Sequence, residues 1–148
     1  MSEKLLEAVE LFEEVMIYGT EHVIKNMDIP IWKEYSPEQI QVLKILLAYG
    51  TLSSGKLAEI QGVHKSAVSN RLKKLEEKGL VLSSRDENDQ RSKVIQLTSA
   101  GKEVLKTSND AVYAYITNIF NNQIDEAELE TFVKTFRKLK EILQMKGM

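Results

Sequence analysis

The chain has no cysteine, two prolines, two histidines and one tryptophan among its 148 residues, and these scarcities remove several classes of function. Without cysteine there can be no disulfide, thiolate zinc site, cysteine nucleophile or thiol redox sensor. The two histidines, His22 and His64, lie in different segments without a carboxylate pattern beside them, so no metal site or nucleophile–base pair is readable. His22 reads as a packing or surface residue. A glycine-rich phosphate loop is also missing. The expectation is a protein that is not an enzyme and needs neither metal nor cofactor. No apolar run approaches the ~18 residues of a membrane span. The opening "MSEKLLEAVELFEE" lacks the basic head and cleavage site of a secretory signal, so a cytoplasmic location is expected.

What is present is 43% hydrophobic and 28% charged residues, enough for one domain with a real core or two small lobes sharing one. The formal net charge of −2 hides an asymmetry. Residues 64–93 hold eight Lys/Arg against five Asp/Glu, a local +3, which leaves 12 basic and 17 acidic side chains elsewhere. Charge separated by sign along the chain bears on partners even when the total does not.

With so few prolines and glycines, long helices should dominate. Leu5, Val9, Phe12, Met16 and Val23 make one apolar stripe on a helix over 3–26. "DIPIWKEYSP" breaks it. Ser36-Pro37-Glu38-Gln39 then supplies an N-cap, a first-turn proline and a capping-box glutamine for a helix reaching Gly50. Ile40, Val42, Leu43, Ile45, Leu46 and Leu47 cover more than one of its faces, so it should be buried. A short helix over about 54–61 ends at Gly62, and a second runs from about Lys65 until Gly79 stops it. Two helices joined by a tight glycine turn make either a helix-turn-helix or an ordinary helical hairpin. Strand-like runs near 80–84 and 93–97 follow, and helix-turn-helix plus hairpin is a winged helix. Thr98 can cap a long helix beyond it, and Asp125 with Glu128 forms a capping box for a last one. The fold expected is mainly α with a small β-hairpin. A winged helix-turn-helix over 36–98 is flanked by helical dimerisation regions at 1–35 and 99–148, the whole forming one intertwined domain.

The terminal helices carry stripes that need cover: Leu5, Val9 and Phe12 at one end, Leu129, Phe132, Val133, Phe136 and Leu139 at the other. A second copy of the chain is the expected cover. On the second helix of the motif, Val68, Leu72 and Leu75 fall in one sector and should face the core. The opposite side holds Ser66, Asn70 and Lys73, with Ser69 and Lys74 flanking and Lys65 opening the helix, types able to read base edges or reach phosphate, or to form a plain solvated face. The tip "RDENDQRSKV" at 85–94 poses the same choice between a solvated loop and a contact with something negatively charged.

The stretch "LAEIQGVHKSAVSNRLKKLEEKGLV" followed by "DQRSKVIQLTSAG" resembles the MarR family of winged-helix transcription regulators (multiple antibiotic resistance regulators). Asp89-x-Arg91 and then Leu97-Thr98-x-x-Gly101 stand at the family's spacing, and the match covers about residues 57–101. The resemblance implies a homodimeric, sequence-specific binder of double-stranded DNA, a repressor responsive to a small-molecule effector. It places Arg91 in the minor groove with Asp89 holding it, which suits a weakly hydrated, planar guanidinium in a groove of concentrated negative potential. Arg85, Ser92 and Lys93 are further wing candidates, and His64 and Arg71 candidate phosphate contacts. His64 stands where the family often has a capping serine or threonine, and Leu82, Ser83 and Ser84 occupy a strand that often carries an arginine. Trp32, Tyr35 and Tyr18 could line an effector crevice or simply be core. The alternative function is a winged-helix protein interaction module that does not bind DNA, which a shallow salt dependence would reveal.

Overall fold

The computed structural model describes residues 2–85, 87–88 and 93–146. The elements run α1 (Glu3–Asn26), α2 (Pro30–Glu34), α3 (Pro37–Tyr49), β1 (Leu52–Ser53), α4 (Ser54–Gln61), α5 (Lys65–Glu77), β2 (Val81–Arg85), β3 (Lys93–Leu97), α6 (Ser99–Phe120) and α7 (Glu126–Lys146). The chain groups into two compact units, Met1–Val112 and Tyr113–Met148. No described helix is long and apolar enough to cross a membrane.

Most helix ends follow from local chemistry. Ser36 Oγ accepts from Gln39 N at 3.1 Å while Gln39 Oε1 accepts from Ser36 N at 2.9 Å, the reciprocal capping box expected at the start of α3. Asp125 Oδ1 likewise accepts from Glu128 N at 2.8 Å before α7. α4 and α5 end in the same way. The N–H of Val63 reaches the Ala58 carbonyl and that of Gly62 the Glu59 carbonyl; Leu80 and Gly79 repeat the pattern onto Leu75 and Glu76. This pair of bonds requires a left-handed residue, and Gly62 and Gly79 stand at φ +67° and +72°.

The core lies in the first unit and joins α2 through the first half of α6. Val42, Leu43, Leu57, Val68, Leu75, Ile95 and Leu105 are all at most 2% exposed. Leu47 departs from the expectation for α3: it is 51% exposed, because the neighbouring elements cover only the face of Ile40, Val42, Leu43, Ile45 and Leu46. The break after α1 also contains a short helix not expected from the sequence, α2, opened by Pro30 at its first position. The sheet has three antiparallel strands in the order β1-β3-β2, since β1 adds to the expected hairpin by pairing Leu52 with Ile95 and Ser53 with Val94.

α1 buries no side chain. Leu5, Val9 and Phe12 are about half exposed there, as are Leu129, Phe132, Val133, Phe136 and Leu139 on α7. Phe132 and Phe136 stack on each other with ring centroids 4.4 Å apart.

Candidate nucleic-acid interface

α4 and α5, joined by the Gly62 turn, form the helix-turn-helix. Val68, Leu72 and Leu75 press α5 into the core, as its periodicity requires. Ser66, Ser69, Asn70 and Lys73 stand exposed on the far side. None of the four side chains bonds to another described residue, so the donors and acceptors of this face are open to an external partner. His64 is the N-cap of α5 in extended backbone and makes no side-chain cap, as expected from its chemistry. Lys65 is exposed and its stem runs along Gly55, where a Cβ would lie 3.1 Å from Lys65 Cε.

Two cations of the expected set turn back into the protein. Lys74 Nζ donates to the Glu34 carbonyl and sits 4.8 Å from the centroid of the Tyr35 ring. The next basic residue on that flank, Lys78, pairs with the Glu34 carboxylate at 3.5 Å. Arg71 is half-buried and donates through Nη1 to Gln61 Oε1 at 2.8 Å. Their partners come from α2 and α4, which is why the helical wheel of α5 alone groups Lys74 with the outward residues.

The wing grows from α5. Pairs across the hairpin share a face: Val81 with Leu97 and Ser83 with Ile95 toward the core, then Arg85 with Lys93 where the core has run out. Opposed like charges disfavour a hairpin. Both stand exposed at the loop end of the hairpin. Ser83 Oγ donates to the Glu76 carboxylate, tying the wing strand to α5 in the stretch where the family often has an arginine. Asp89, Arg91 and Ser92, the remaining wing candidates, lie outside the described residues.

Tyr35 is 7% exposed and belongs to the core, and Trp32 packs against that core, whereas Tyr18 is 61% exposed on α1. Two of the three candidate crevice aromatics are therefore core residues. Burial pushes the Tyr35 hydroxyl above its usual pKa, and the Glu34 carboxylate adds to the effect. No group of three or more potential metal ligands occurs among the described residues.

A helix-turn-helix whose second helix presents a polar face unengaged among the described residues, followed by the β2–β3 hairpin as its wing, defines a winged-helix DNA-binding protein. The MarR family model matches residues 35–93. Over 140 residues the chain is 41% identical to the uncharacterized HTH-type transcriptional regulator YdgG of Bacillus subtilis (strain 168), covering 93% of this chain and 91% of that protein. It is also 38% identical over 99 residues to the HTH-type transcriptional regulator TcaR of Staphylococcus aureus (strain Newman), covering 66% of this chain and 64% of that one. The structure of a MarR family protein from Bacillus stearothermophilus shares the fold with a TM-score of 0.76 at 22% identity, over 97% of this chain and 99% of that one. The chain belongs to the MarR family. It is a DNA-binding transcription regulator, not an enzyme.

Proposed function

We propose that the protein is a homodimeric repressor that binds a palindromic operator in double-stranded DNA and is released by a small-molecule effector. The observation that carries this reading is the polar face of α5. Ser66, Ser69, Asn70 and Lys73 are exposed and without described partners, opposite a fully buried apolar stripe. A helix of this kind fits a major groove about 12 Å wide, where asparagine can pair two-pronged with adenine and lysine can reach guanine or phosphate. Arg85 and Lys93 continue the basic surface onto the wing, and Arg91, by its place in the family pattern, enters the minor groove with Asp89 holding it. Lys65 and His64 lie at the end of α5 nearest the turn, where they reach phosphate.

The dimer is the cover for the half-exposed leucine, valine and phenylalanine stripes of α1 and α7, within the regions 1–35 and 99–148. At roughly 25 cal/mol per Å² of apolar area removed from water, such stripes favour a second chain over solvent. A two-fold dimer presents two α5 helices to one face of the duplex, so half-sites stand about 10 bp apart centre to centre. The effector reading is supported by family resemblance alone. A repressor acting on DNA implies a cytoplasmic location.

The test is a titration of the DNA flanking the protein's own coding sequence against a scrambled duplex at several salt concentrations, with and without a panel of phenolic compounds. The expected result is tight, salt-steep binding to the first duplex, weaker binding to the second, and release by at least one compound. A shallow salt dependence with no preference between duplexes would favour the protein interaction module instead.

A further inference from the structure

We propose that Arg71 is a positioning residue: it acts through Gln61 to set the roll of α5, and so the sequence discrimination of the protein, without touching a phosphate. The inference rests on the DNA-reading role of α5 proposed above and names a determinant of its specificity.

The argument begins with what the core leaves open. The apolar hold on α5 is one stripe, Val68, Leu72 and Leu75. A single stripe resists lifting of the helix more strongly than rolling about its own axis, because apolar contact is non-directional. Hydrogen bonds on the flank are directional and can fix the roll. At 100° per residue, Arg71 lies roughly 70° from the middle of the stripe, whereas Asn70 lies nearly opposite it.

Arg71 meets such a set of bonds. Its Nη1 donates to Gln61 Oε1 at 2.8 Å, and Gln61 is the last residue of α4. Gln61 Nε2 in turn donates to Gln41 Oε1 at 2.9 Å and to the Glu38 carbonyl at 3.2 Å, both on α3. From the other side Gln39, the capping-box residue of α3, donates through Nε2 to the Arg71 carbonyl at 3.4 Å. The side chain and the backbone of one residue are thus tied to two different helices. Both groups of the Gln61 amide are engaged, so the amide has one favoured orientation.

The functional consequence follows from leverage. A roll of about 10° moves a side-chain tip at a radius of about 6 Å by about 1 Å. That displacement breaks the two-pronged geometry of a base contact, whose donor–acceptor distances span only a few tenths of an ångström. A lysine on a flexible stem follows a phosphate over the same distance. Loss of the Arg71–Gln61 bond should therefore lower discrimination and leave the electrostatic part of binding intact.

The experiment uses the full-length protein and two duplexes, one enriched from a random-sequence pool by the wild type and a scrambled control, titrated between about 50 and 200 mM salt. Arg71→Ala should weaken binding to the enriched duplex on the order of tenfold. Binding to the control and the slope of log K against log salt should stay at wild-type values. Gln61→Ala should reproduce this loss and carries the test if Arg71→Ala does not fold. The double variant should be no worse than the poorer single one, because both remove the same bond. Gln61→Glu keeps an acceptor for the guanidinium but cannot donate to Gln41 Oε1 or the Glu38 carbonyl, so its discrimination should fall between those of the wild type and Gln61→Ala. If Arg71→Ala instead weakens both duplexes alike and flattens the salt slope by about 0.9 for each phosphate released, Arg71 is a phosphate contact and the proposal is wrong. Unchanged discrimination in Gln61→Ala overturns it too. A wild type that enriches no sequence and binds both duplexes without salt dependence overturns the DNA-reading function itself, a result separate from either of these.

Discussion

Gly101 packs against Leu80 so closely that a Cβ on Gly101 would lie 2.3 Å from the Leu80 carbonyl oxygen, and 2.6 Å from Leu97 Cδ1. The Leu80 carbonyl also accepts from Thr98 N at 3.1 Å and from the Thr98 hydroxyl at 2.9 Å, while that hydroxyl accepts from Gly101 N at 3.0 Å. The N-terminal turn of α6 is thereby seated on the chain leaving α5, at the root of the wing. The Leu97-Thr98-x-x-Gly101 pattern has this contact as its physical basis.

Gly101→Ala should accordingly destabilise the fold. Overpacking against backbone costs about 1–3 kcal/mol, which exceeds the gain of up to about 1 kcal/mol from replacing a helical glycine. A net loss of about 1–2 kcal/mol corresponds to roughly 3–6 °C in Tm. Thermal unfolding followed by circular dichroism checks this, and an unchanged Tm would show that α6 can shift at no cost.

Lys73 and Lys74 are neighbours in sequence and should behave differently. Lys73 is exposed without a described partner, so Lys73→Ala should lower the salt slope of DNA binding by about 0.9 for each phosphate that the lysine neutralises. Lys74 is held over Tyr35 and bonded to Glu34, so Lys74→Ala should leave the slope nearly unchanged and lower stability. Equal slope changes in the two variants would refute the distinction.

Asn70→Ala and Arg91→Ala separate reading from anchoring. Loss of a base-edge contact by Asn70 should relax preference at one symmetric pair of operator positions, by about 1–3 kcal/mol against the wrong base. Loss of a minor-groove contact by Arg91 should weaken binding broadly, with at most a bias toward A·T-rich flanks. Selection from a randomised operator library with each variant provides the readout. An unaltered consensus for Asn70→Ala would remove it from the reading face.

Lys93→Ala should exchange affinity for stability. Arg85 and Lys93 are directly paired at the loop end of the hairpin, and opposed like charges destabilise such a pair by up to about 1 kcal/mol. The variant should therefore unfold at slightly higher urea concentration and bind DNA more weakly. Weaker binding together with lower stability would point to a structural role for Lys93 instead.

Phe132→Asp addresses the dimer. Phe132 is 56% exposed on α7 and stacked on Phe136, so it stands in the stripe that a second chain is proposed to cover. Light scattering at micromolar concentration should give twice the 16.9 kDa chain mass for the wild type and a smaller value for the variant. A wild type of single-chain mass would exclude the proposed assembly.

Helix boundaries and the winged-helix order are legible in the residue types, because they depend on partners three to five residues away. Ser36 with Gln39, Asp125 with Glu128, and the glycines that close α4 and α5 each complete a hydrogen-bonding pattern within one turn, so local sequence predicts it. Val68, Leu72 and Leu75 are readable as core for the same reason, a helix having a fixed angular step. What crosses between elements is set by packing. β1 is a strand only because Ser53 meets Val94 and Leu52 meets Ile95, some forty residues on. Leu47 is exposed because nothing packs over it, which its own helix cannot signal. Lys74 looks like an outward cation on the wheel of α5 and Arg71 lies on the flank of its buried stripe, yet they are bound by Glu34 and Gln61, whose approach depends on how α2 and α4 pack. A side chain's type and angle are local properties, but whether it is available to DNA depends on which distant group reaches it first.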